Sequence, residues 1–477
     1  MSTPREIAAQ IATATLLEKA PIASSLAHAF REEGFTLALV GGPVRDAILG
    51  RLGNDLDFTT NAHPDKTKKI LDAWADATWD TGAAFGTIAG KKGDVTVEVT
   101  TYRSEKYDPQ SRNPEVNFGD SIEGDLSRRD FTVNALALEL TTPTPEFIDL
   151  FNGVEDLAKK ILRAPLDPDI LFNDDPLRMM RACRFVAQLG FSVDPTVIAS
   201  MTKMASRIDI ISVERIREEF TKLLMSDNPR VGLALMVETG LATYVLPEIP
   251  QLKLEVDEHH HHKDVYEHTL TVLEQAIALE SRLGGKSLTI RLAALLHDIG
   301  KPKTRELIPG GGVSFHHHEV VGSRMTKERL KALRFDNETI KDVSQLVFLH
   351  LRFHGYSGGE WTDSAVRRYV RDAEHLLEHL HVLTRADCTT RNQKKAERLA
   401  ATYDSLEERI ARLKEEEELN AIRPDIDGKK IMEILGIKPS PLVGKAYDYL
   451  LELRLEHGPL GEERAIEELK KWFKENG

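Results

Sequence analysis

The chain has 477 residues, 41% hydrophobic and 29% charged, with a net charge of −13. That length holds three or four domains with real cores, and the acidic balance argues against indiscriminate nucleic-acid binding. Two distant cysteines, Cys183 and Cys388, the absence of any apolar run of membrane-spanning length, and a start (MSTPREIAAQ) without a signal-peptide pattern lead us to expect a soluble cytoplasmic protein without disulfides.

Residues 1–34 read as helical, with apolar spacing at Ile7, Ile11, Leu16, Leu17 and Leu26 directed behind a first strand. That strand is the short apolar run Phe35 to Val40, which ends at Gly41 and Gly42. Pro43 then suits the first turn of a helix carrying Val44, Arg45, Ile48 and Leu49. A strand-to-helix turn of this kind gathers bare backbone N–H groups and the positive end of a helix, which suits a phosphate. Next comes Asp55-Leu56-Asp57-Phe58, where strand alternation puts both carboxylates on one face. Two carboxylates one pleat apart can share divalent metals, and Mg²⁺ with carboxylates and phosphates serves phosphoryl transfer.

Residues 64–75 read as a helix, and Thr87–Ala89 and Val95–Val99 as strands. Glu98 is either a third carboxylate on the metal-facing side or an exposed strand residue. Residues 102–124 lose periodicity and read as a long irregular loop. The loop leads to Arg128-Arg129-Asp130, whose arginines suit triphosphate charge and whose aspartate suits ribose hydroxyls. From Phe172 a helix is expected, with Asp at the cap and Pro176 in the first turn; Arg178, Arg181 and Arg184 form one ridge. Asp175 precedes Arg178 by one turn, so acceptor and donor could present an edge like a base's pairing face; an i,i+3 salt bridge is the plainer alternative. The stretch 178–230 has an excess of Lys/Arg over Asp/Glu in an otherwise acidic chain.

Further on, the apolar run Leu292–Leu296 ends in His297-Asp298-Ile299-Gly300-Lys301-Pro302. A buried His-Asp pair is costly unless something pairs with it, and a metal does so. His268 and Asp387 are the candidate co-ligands, with His318 and His350 serving a possible second ion; the run His259 to His262 is given no role. Residues 393–420 read as a long charged helix with Leu399, Tyr403, Leu406, Ile410 and Leu413 on one face, followed by a small helical tail.

Gly41-Gly42-Pro43-Val44-Arg45-Asp46 with Asp55-Leu56-Asp57-Phe58-Thr59-Thr60 resembles the first motif of the class II tRNA nucleotidyltransferase and poly(A) polymerase family. Arg128-Arg129-Asp130-Phe131-Thr132-Val133-Asn134-Ala135 resembles its ribose-recognition motif RRDFTxNAxA. Asp174-Asp175-Pro176-Leu177-Arg178 resembles its base-reading motif E-D-x-x-R, with Asp174 where Glu is usual. Glu214-Arg215-Ile216-Arg217-Glu218-Glu219 is similar to the family's following E-R-I-x-x-E segment. His268, His297, Asp298 and Asp387 resemble the H…HD…D pattern of HD-type metal-dependent phosphohydrolases. The tail 428–441 is similar to the family's, with Ser440 where Gly is usual.

The resemblance implies an α+β fold. A polymerase-β-like nucleotidyltransferase head, a small mixed sheet with helices, spans 1–145. An all-helical neck and RNA-binding domain spans 146–250, an HD domain 251–395 and a helical tail 396–477. The set looks most like the actinobacterial type of CCA-adding enzyme. It implies two Mg²⁺ ions on Asp55 and Asp57, to which the strand alternation adds Glu98 as a candidate third carboxylate, and a transition metal or Mg²⁺ at the HD site. It implies nucleotide contacts from Gly41, Gly42, Arg45, Arg128, Arg129, Asp130, Asn134, Asp175, Arg178, Arg181 and Arg184. The partners implied are tRNA, CTP and ATP. Rival readings are a poly(A) polymerase, a CC-only or A-only enzyme, and an HD phosphohydrolase with an RNA-binding head.

Overall fold

The computed structural model describes residues 3–80, 82, 86–106, 115–118, 121–254, 264–308, 313–353, 361–390, 392–417 and 423–477. The chain forms two compact units, Met1–Pro247 and Glu248–Gly477. His259 to His262 lie outside the described residues.

The first unit is built on a mixed seven-stranded sheet. Its strands are β1 (Ala38–Val40), β2 (Asp55–Thr60), β3 (Ala77–Trp79), β4 (Thr87–Lys92), β5 (Val95–Thr101), β8 (Leu136–Glu139) and β9 (Glu146–Asp149). They lie in the order β3-β4-β5-β2-β1-β8-β9, and only β2 and β5 run parallel. Leu56 and Phe58 from β2 and Val97 and Val99 from β5 enter the core on one face of this sheet, which leaves the opposite face of both strands to carboxylates.

In helix α1 (Pro4–Lys19) the buried stripe is Ala8, Ala12 and Leu16, while Ile7, Ile11 and Leu17 are 47%, 41% and 49% exposed. Alanines let a helix approach its support closely, and that close packing overrides the larger side chains' hydrophobicity. Helix α2 (Ile22–Glu32) buries Leu26 as the spacing predicts. Residues 102–124 are not an irregular loop throughout, because Arg103–Lys106 (β6) pairs antiparallel with Glu115–Phe118 (β7). Residues 107–114 and 119–120 lie outside the described residues.

Helices α3 (Gly42–Ile48) and α4 (Pro64–Trp74) follow β1 and β2 as read from the sequence; α5 (Ile122–Ser127) leads into the Arg128–Asp130 segment. After α6 (Gly153–Lys159) the unit is mainly helical: α7 (Pro168–Asp174), α8 (Leu177–Leu189), α9 (Pro195–Met204), α10 (Val213–Leu224) and α11 (Pro229–Glu238). The helix expected from Phe172 is divided. Phe172 to Asp174 end α7, Asp175 is extended, and α8 starts after Pro176. Proline lacks an N–H and disfavours helical geometry in the residue before it, so the break falls where the chemistry requires it. The Asp175 carboxylate still accepts from the Leu177 N–H at 3.1 Å, the capping role its position suggested.

Among its described residues, the second unit is helical apart from a two-stranded ladder, Glu306–Leu307 with Val313–Ser314. Helix Leu288–Leu296 is buried from Ile290 through Leu296. Helix Gln393–Glu417 buries Tyr403, Leu406, Ile410 and Leu413 of the stripe its periodicity predicts and leaves Leu399 half-buried. Helices Gly428–Leu435, Pro441–His457 and Glu462–Asn476 share a small core of Ile431, Ala446, Leu450 and Leu469. Among the described residues, no helix is long and apolar enough to cross a membrane.

Candidate functional sites: a carboxylate cleft and a buried histidine cluster

Parallel pairing of β2 with β5 places Asp57 directly beside Glu98, with Asp55 beside Thr96. Asp55, Asp57 and Glu98 therefore share one exposed face. Asp57 opens into this cleft, but its carboxyl lies deep enough that burial, and then the charge of Glu98, push it up to about 6. Arg129 and Arg181 pull in the opposite direction and do not overcome these effects. Crowded carboxylates of this kind are stabilised by a divalent cation, and an all-oxygen donor set suits Mg²⁺.

Beside the carboxylates, Gly41 turns the chain with φ +74°. A Cβ at Gly41 would meet Arg129 Nη1 at 2.7 Å, so glycine provides both the left-handed backbone and the space for that guanidinium. Arg129 is tied back to Asp125 at 3.1 Å. Gly42 opens α3, and Arg128 is half-buried next to Arg129.

Arg45, expected at the triphosphate, is only 7% exposed. Its guanidinium grips Asp46 with two bonds, at 3.0 and 2.9 Å, and donates to Asn134 Oδ1 at 2.5 Å. Asn134 in turn donates to Asp130 Oδ1 at 2.9 Å, and Arg181 closes on Asp130 Oδ2 at 2.8 Å. Glu219 of α10 continues the chain, 3.7 Å from Arg181 and 2.7 Å from Arg184. These residues form one connected network of alternating charges that joins α3, the Arg128–Asp130 segment, α8 and α10. Burial alone would raise the Asp130 carboxyl, but Arg181 and the hydrogen bond from Asn134 outweigh it and hold it at about 2. From the sequence Glu219 is read only as the last residue of the E-R-I-x-x-E segment, with no partner assigned to it. The signal was present, since it lies on the stripe of α10 that buries Ile216, Phe220 and Leu223, where a lone acid needs a partner.

Asp175 does not approach Arg178 in the simple i,i+3 pair suggested as an alternative. Its carboxylate caps Leu177 and pairs with Arg215 of α10 at 2.9 Å, whereas Arg178 donates to the Leu171 carbonyl at 3.4 Å. Both side chains flank the α7–α8 break. Nothing in the local spacing revealed Arg215 as the partner, because the contact joins residues forty apart.

In the second unit, His268, His297 and Asp387 converge as one group, and Asp298, His318 and His350 as another. His268 comes from helix Val265–Ala278, and His297 and Asp298 follow helix Leu288–Leu296. His318 starts helix His318–Ala332, His350 ends helix Asn337–Leu349, and Asp387 ends helix Leu377–Ala386. Asp298 links the groups, with one carboxylate oxygen 3.2 Å from His297 Nε2 and the other 3.3 Å from His318 Nε2. The Nε2 atoms of His268 and His297 stand 3.4 Å apart, and those of His318 and His350 3.3 Å apart. His297, His318 and His350 direct Nδ1 at the carbonyls of Ala294, Phe315 and Val347, at 2.9, 2.8 and 2.6 Å. A carbonyl only accepts, so each Nδ1 carries a proton, and whenever the ring is neutral its Nε2 turns a lone pair toward the centre.

Facing lone pairs repel unless a cation or a proton lies between them. Asp298 Oδ2 is a buried oxygen without a hydrogen-bond partner, although Lys301 Nζ lies 2.9 Å away. The residues therefore fit a metal, and imidazole with carboxylate suits a divalent transition ion. Burial, then the neighbouring His297 and His318, push His350 down to about 3, which keeps it neutral and able to ligate. Burial also opposes charge on His297, yet Asp298 and then Asp387 raise it to about 10. A proton there supplies the positive charge that an ion would bring, so metal uptake is coupled to proton release. Thr389 Oγ1, 3.0 Å from His268 Nδ1, is a positioning contact that sequence reading missed.

Residues 37–163 match the family described as the poly A polymerase head domain. Residues 190–252 match a probable RNA and SrmB-binding site of polymerase A, and residues 265–392 match the HD domain. A curated A-adding tRNA nucleotidyltransferase of Deinococcus radiodurans is 32% identical over 447 residues, which covers 92% of this chain and 96% of that protein. A CCA-adding enzyme of Streptococcus pneumoniae is 44% identical over 220 residues, 46% of this chain. The chain spans about half the length of that streptococcal relative, 53%. Among solved structures, the Bacillus stearothermophilus CCA-adding enzyme in complex with CTP superposes with a TM-score of 0.69 at 24% identity, covering 95% of this chain and 97% of that one. The Thermotoga maritima CCA-adding enzyme complexed with tRNA superposes at 0.59 with 17% identity, covering 94% of each. Both share the fold. The near-complete match to the Deinococcus relative, together with the head, RNA-binding and HD segments in order, shows that this chain belongs to the tRNA nucleotidyltransferase and poly(A) polymerase family, in its HD-domain-containing form.

Proposed function

We propose that this protein is a cytoplasmic CCA-adding tRNA nucleotidyltransferase, taking C, C and A from CTP and ATP onto a tRNA 3′ end with release of pyrophosphate. The observation that carries the reading is the single exposed face shared by Asp55, Asp57 and Glu98, set beside the Gly41 turn and Arg129. Asp55 and Asp57, with Glu98, would hold Mg²⁺, which supplies charge neutralisation for the attacking hydroxyl and the departing pyrophosphate. Gly41, Gly42, Arg128 and Arg129 receive the triphosphate. Arg45 acts from below, holding Asn134 and through it Asp130, which serves the ribose together with Arg181. Asp175 and Arg178 read the base from the α7–α8 break, with Arg184 anchoring α8 to α10. In this reading 1–145 is the head, 146–250 the RNA-binding neck, 251–395 the HD domain and 396–477 the tail.

The test is product length. Purified protein with Mg²⁺ and tRNA lacking its CCA end is supplied with CTP, ATP or both. Two additions with CTP and a third only with ATP support the reading. Addition of A alone, to tRNA already ending in CC, would place it with A-adding enzymes, and long adenylate tails with poly(A) polymerases. Asp57→Ala should abolish incorporation while leaving the fold intact, and an active variant would end the assignment.

The paired histidine groups favour a second activity. With His268, His297 and Asp387 holding one ion and Asp298, His318 and His350 another, the HD domain would hydrolyse a phosphoester, such as a 2′-phosphate or 2′,3′-cyclic phosphate on RNA. Metal analysis finding no ion, with no hydrolysis in Mn²⁺, Ni²⁺ or Mg²⁺, would remove this second reading.

A further inference from the structure

Phe185 of α8 is 4% exposed and has three guanidinium groups over its ring. The guanidinium carbons of Arg184, Arg181 and Arg45 lie 4.3, 5.3 and 5.5 Å from the ring centroid. Its neighbour Phe131, which follows Asp130 in sequence, meets it edge-on at 5.9 Å and 87°. The ring thus touches every part of the nucleotide site that the polar network joins: α3 through Arg45, the Arg128–Asp130 segment through Phe131, and α10 through Arg184 and Glu219.

Each of the three arginines is paired with an acid, Asp46 for Arg45, Asp130 for Arg181 and Glu219 for Arg184, with Asp46 also bound by Arg51 and Glu219 also 3.7 Å from Arg181. The cluster is therefore charge-balanced and adds little net field for a triphosphate. Its value is orientation. A carboxylate fixes the edge of a guanidinium but leaves the plane free to pivot about the bonded edge. An aromatic face beneath the plane removes that freedom, because the ring quadrupole attracts the cation face-on. Arg181 is the exposed member, with its side chain 34% accessible, and it holds Asp130.

We propose that Phe185 is a positioning residue for nucleotide binding, its π-face setting the planes of Arg45, Arg181 and Arg184 and, through Arg181, the carboxylate of Asp130. This rests on the nucleotidyltransferase reading above. Phe185 touches no substrate; it acts through the residues that do.

The test separates ring electrostatics from packing. Phe185 is replaced by 4-fluoro-, 3,5-difluoro- and pentafluoro-phenylalanine, which keep the ring's shape and apolarity while weakening and then reversing its quadrupole. KM for CTP and ATP is measured with kcat and the melting temperature. The expected result is a graded rise in KM, reaching about tenfold at pentafluoro-phenylalanine, with kcat within about twofold and an unchanged melting temperature. Phe185→Leu should match the pentafluoro variant in KM, and Phe185→Tyr should restore the wild-type value. A flat KM across the fluorinated series in an active enzyme overturns the inference alone. A wild-type protein that adds no nucleotide overturns the nucleotidyltransferase reading and this inference together.

Discussion

Asp130 shows how one side chain's environment decides its role. It is buried, yet both oxygens are satisfied: one by the Phe131 N–H and Asn134, the other by Arg181. Its carboxyl is held at about 2 in the folded protein, against an ordinary value near 3.8. A folded pKa below the unfolded one means stability that is present above about pH 4 and is lost as pH falls toward 2. The difference corresponds to about 2 kcal/mol at neutral pH. Asp130→Asn should therefore destabilise the first unit by about 2 kcal/mol at pH 7, and the gap to wild type should shrink by roughly half at pH 3. Melting both proteins across that range checks it; a gap independent of pH would show that packing, not the ion pair, is responsible. The sequence motif pointed to Asp130, Arg129 and Asn134 without revealing that Arg45 would be consumed internally. Arg45 carries a charge that suits phosphate wherever it is placed, and only the fold shows Asp46 and Asn134 occupying its donors.

At the scale of elements, short spacing was legible and close packing was not. Strand alternation placed Asp55 and Asp57 correctly because period-two geometry is local. The buried face of α1 was misread because the sequence offers isoleucines where the structure uses alanines. The strand pair within 102–124 was missed because Arg103–Lys106 carries no apolar residue and the alternation of Val116 and Phe118 is too short to read as a strand. Close packing also governs the histidine cluster. A Cβ on Gly300 would fall 2.2 Å from the His318 carbonyl oxygen and 2.7 Å from the Gly322 nitrogen, both backbone atoms that cannot step aside. Gly300→Ala must push the His297–Asp298 turn away from helix His318–Ala332 and so separate Asp298 from His318. We expect a loss of about 3 kcal/mol and of roughly half the bound metal. Gly322→Ala, whose new atom would meet its nearest neighbours at 3.4 Å, should keep its metal. Metal content measured on both purified proteins decides it, and equal content would show that the turn tolerates displacement.

For the whole molecule, the two candidate sites belong to different compact units: the carboxylates to Met1–Pro247 and the histidines to Glu248–Gly477. Their donor chemistry differs as well. Exposed carboxylates bind Mg²⁺ loosely alongside substrate, whereas buried imidazoles with fixed tautomers hold an ion as part of the structure. Metal removal should therefore act unequally on stability. An ion present at 100 times its Kd adds about 2.7 kcal/mol to the state that binds it. Stripping tightly held metal with a chelator should lower the melting of the second unit and leave that of the first nearly unchanged. His297→Ala should abolish the chelator-sensitive shift, and the variant should still extend tRNA, because no carboxylate of the cleft is altered. Calorimetry of wild type and variant, with and without chelator, reads both transitions in one scan. A first-unit transition that falls in step with the second would show that the histidine-bound ion stabilises the polymerase head as well, and the two sites would then have to be treated as one thermodynamic system.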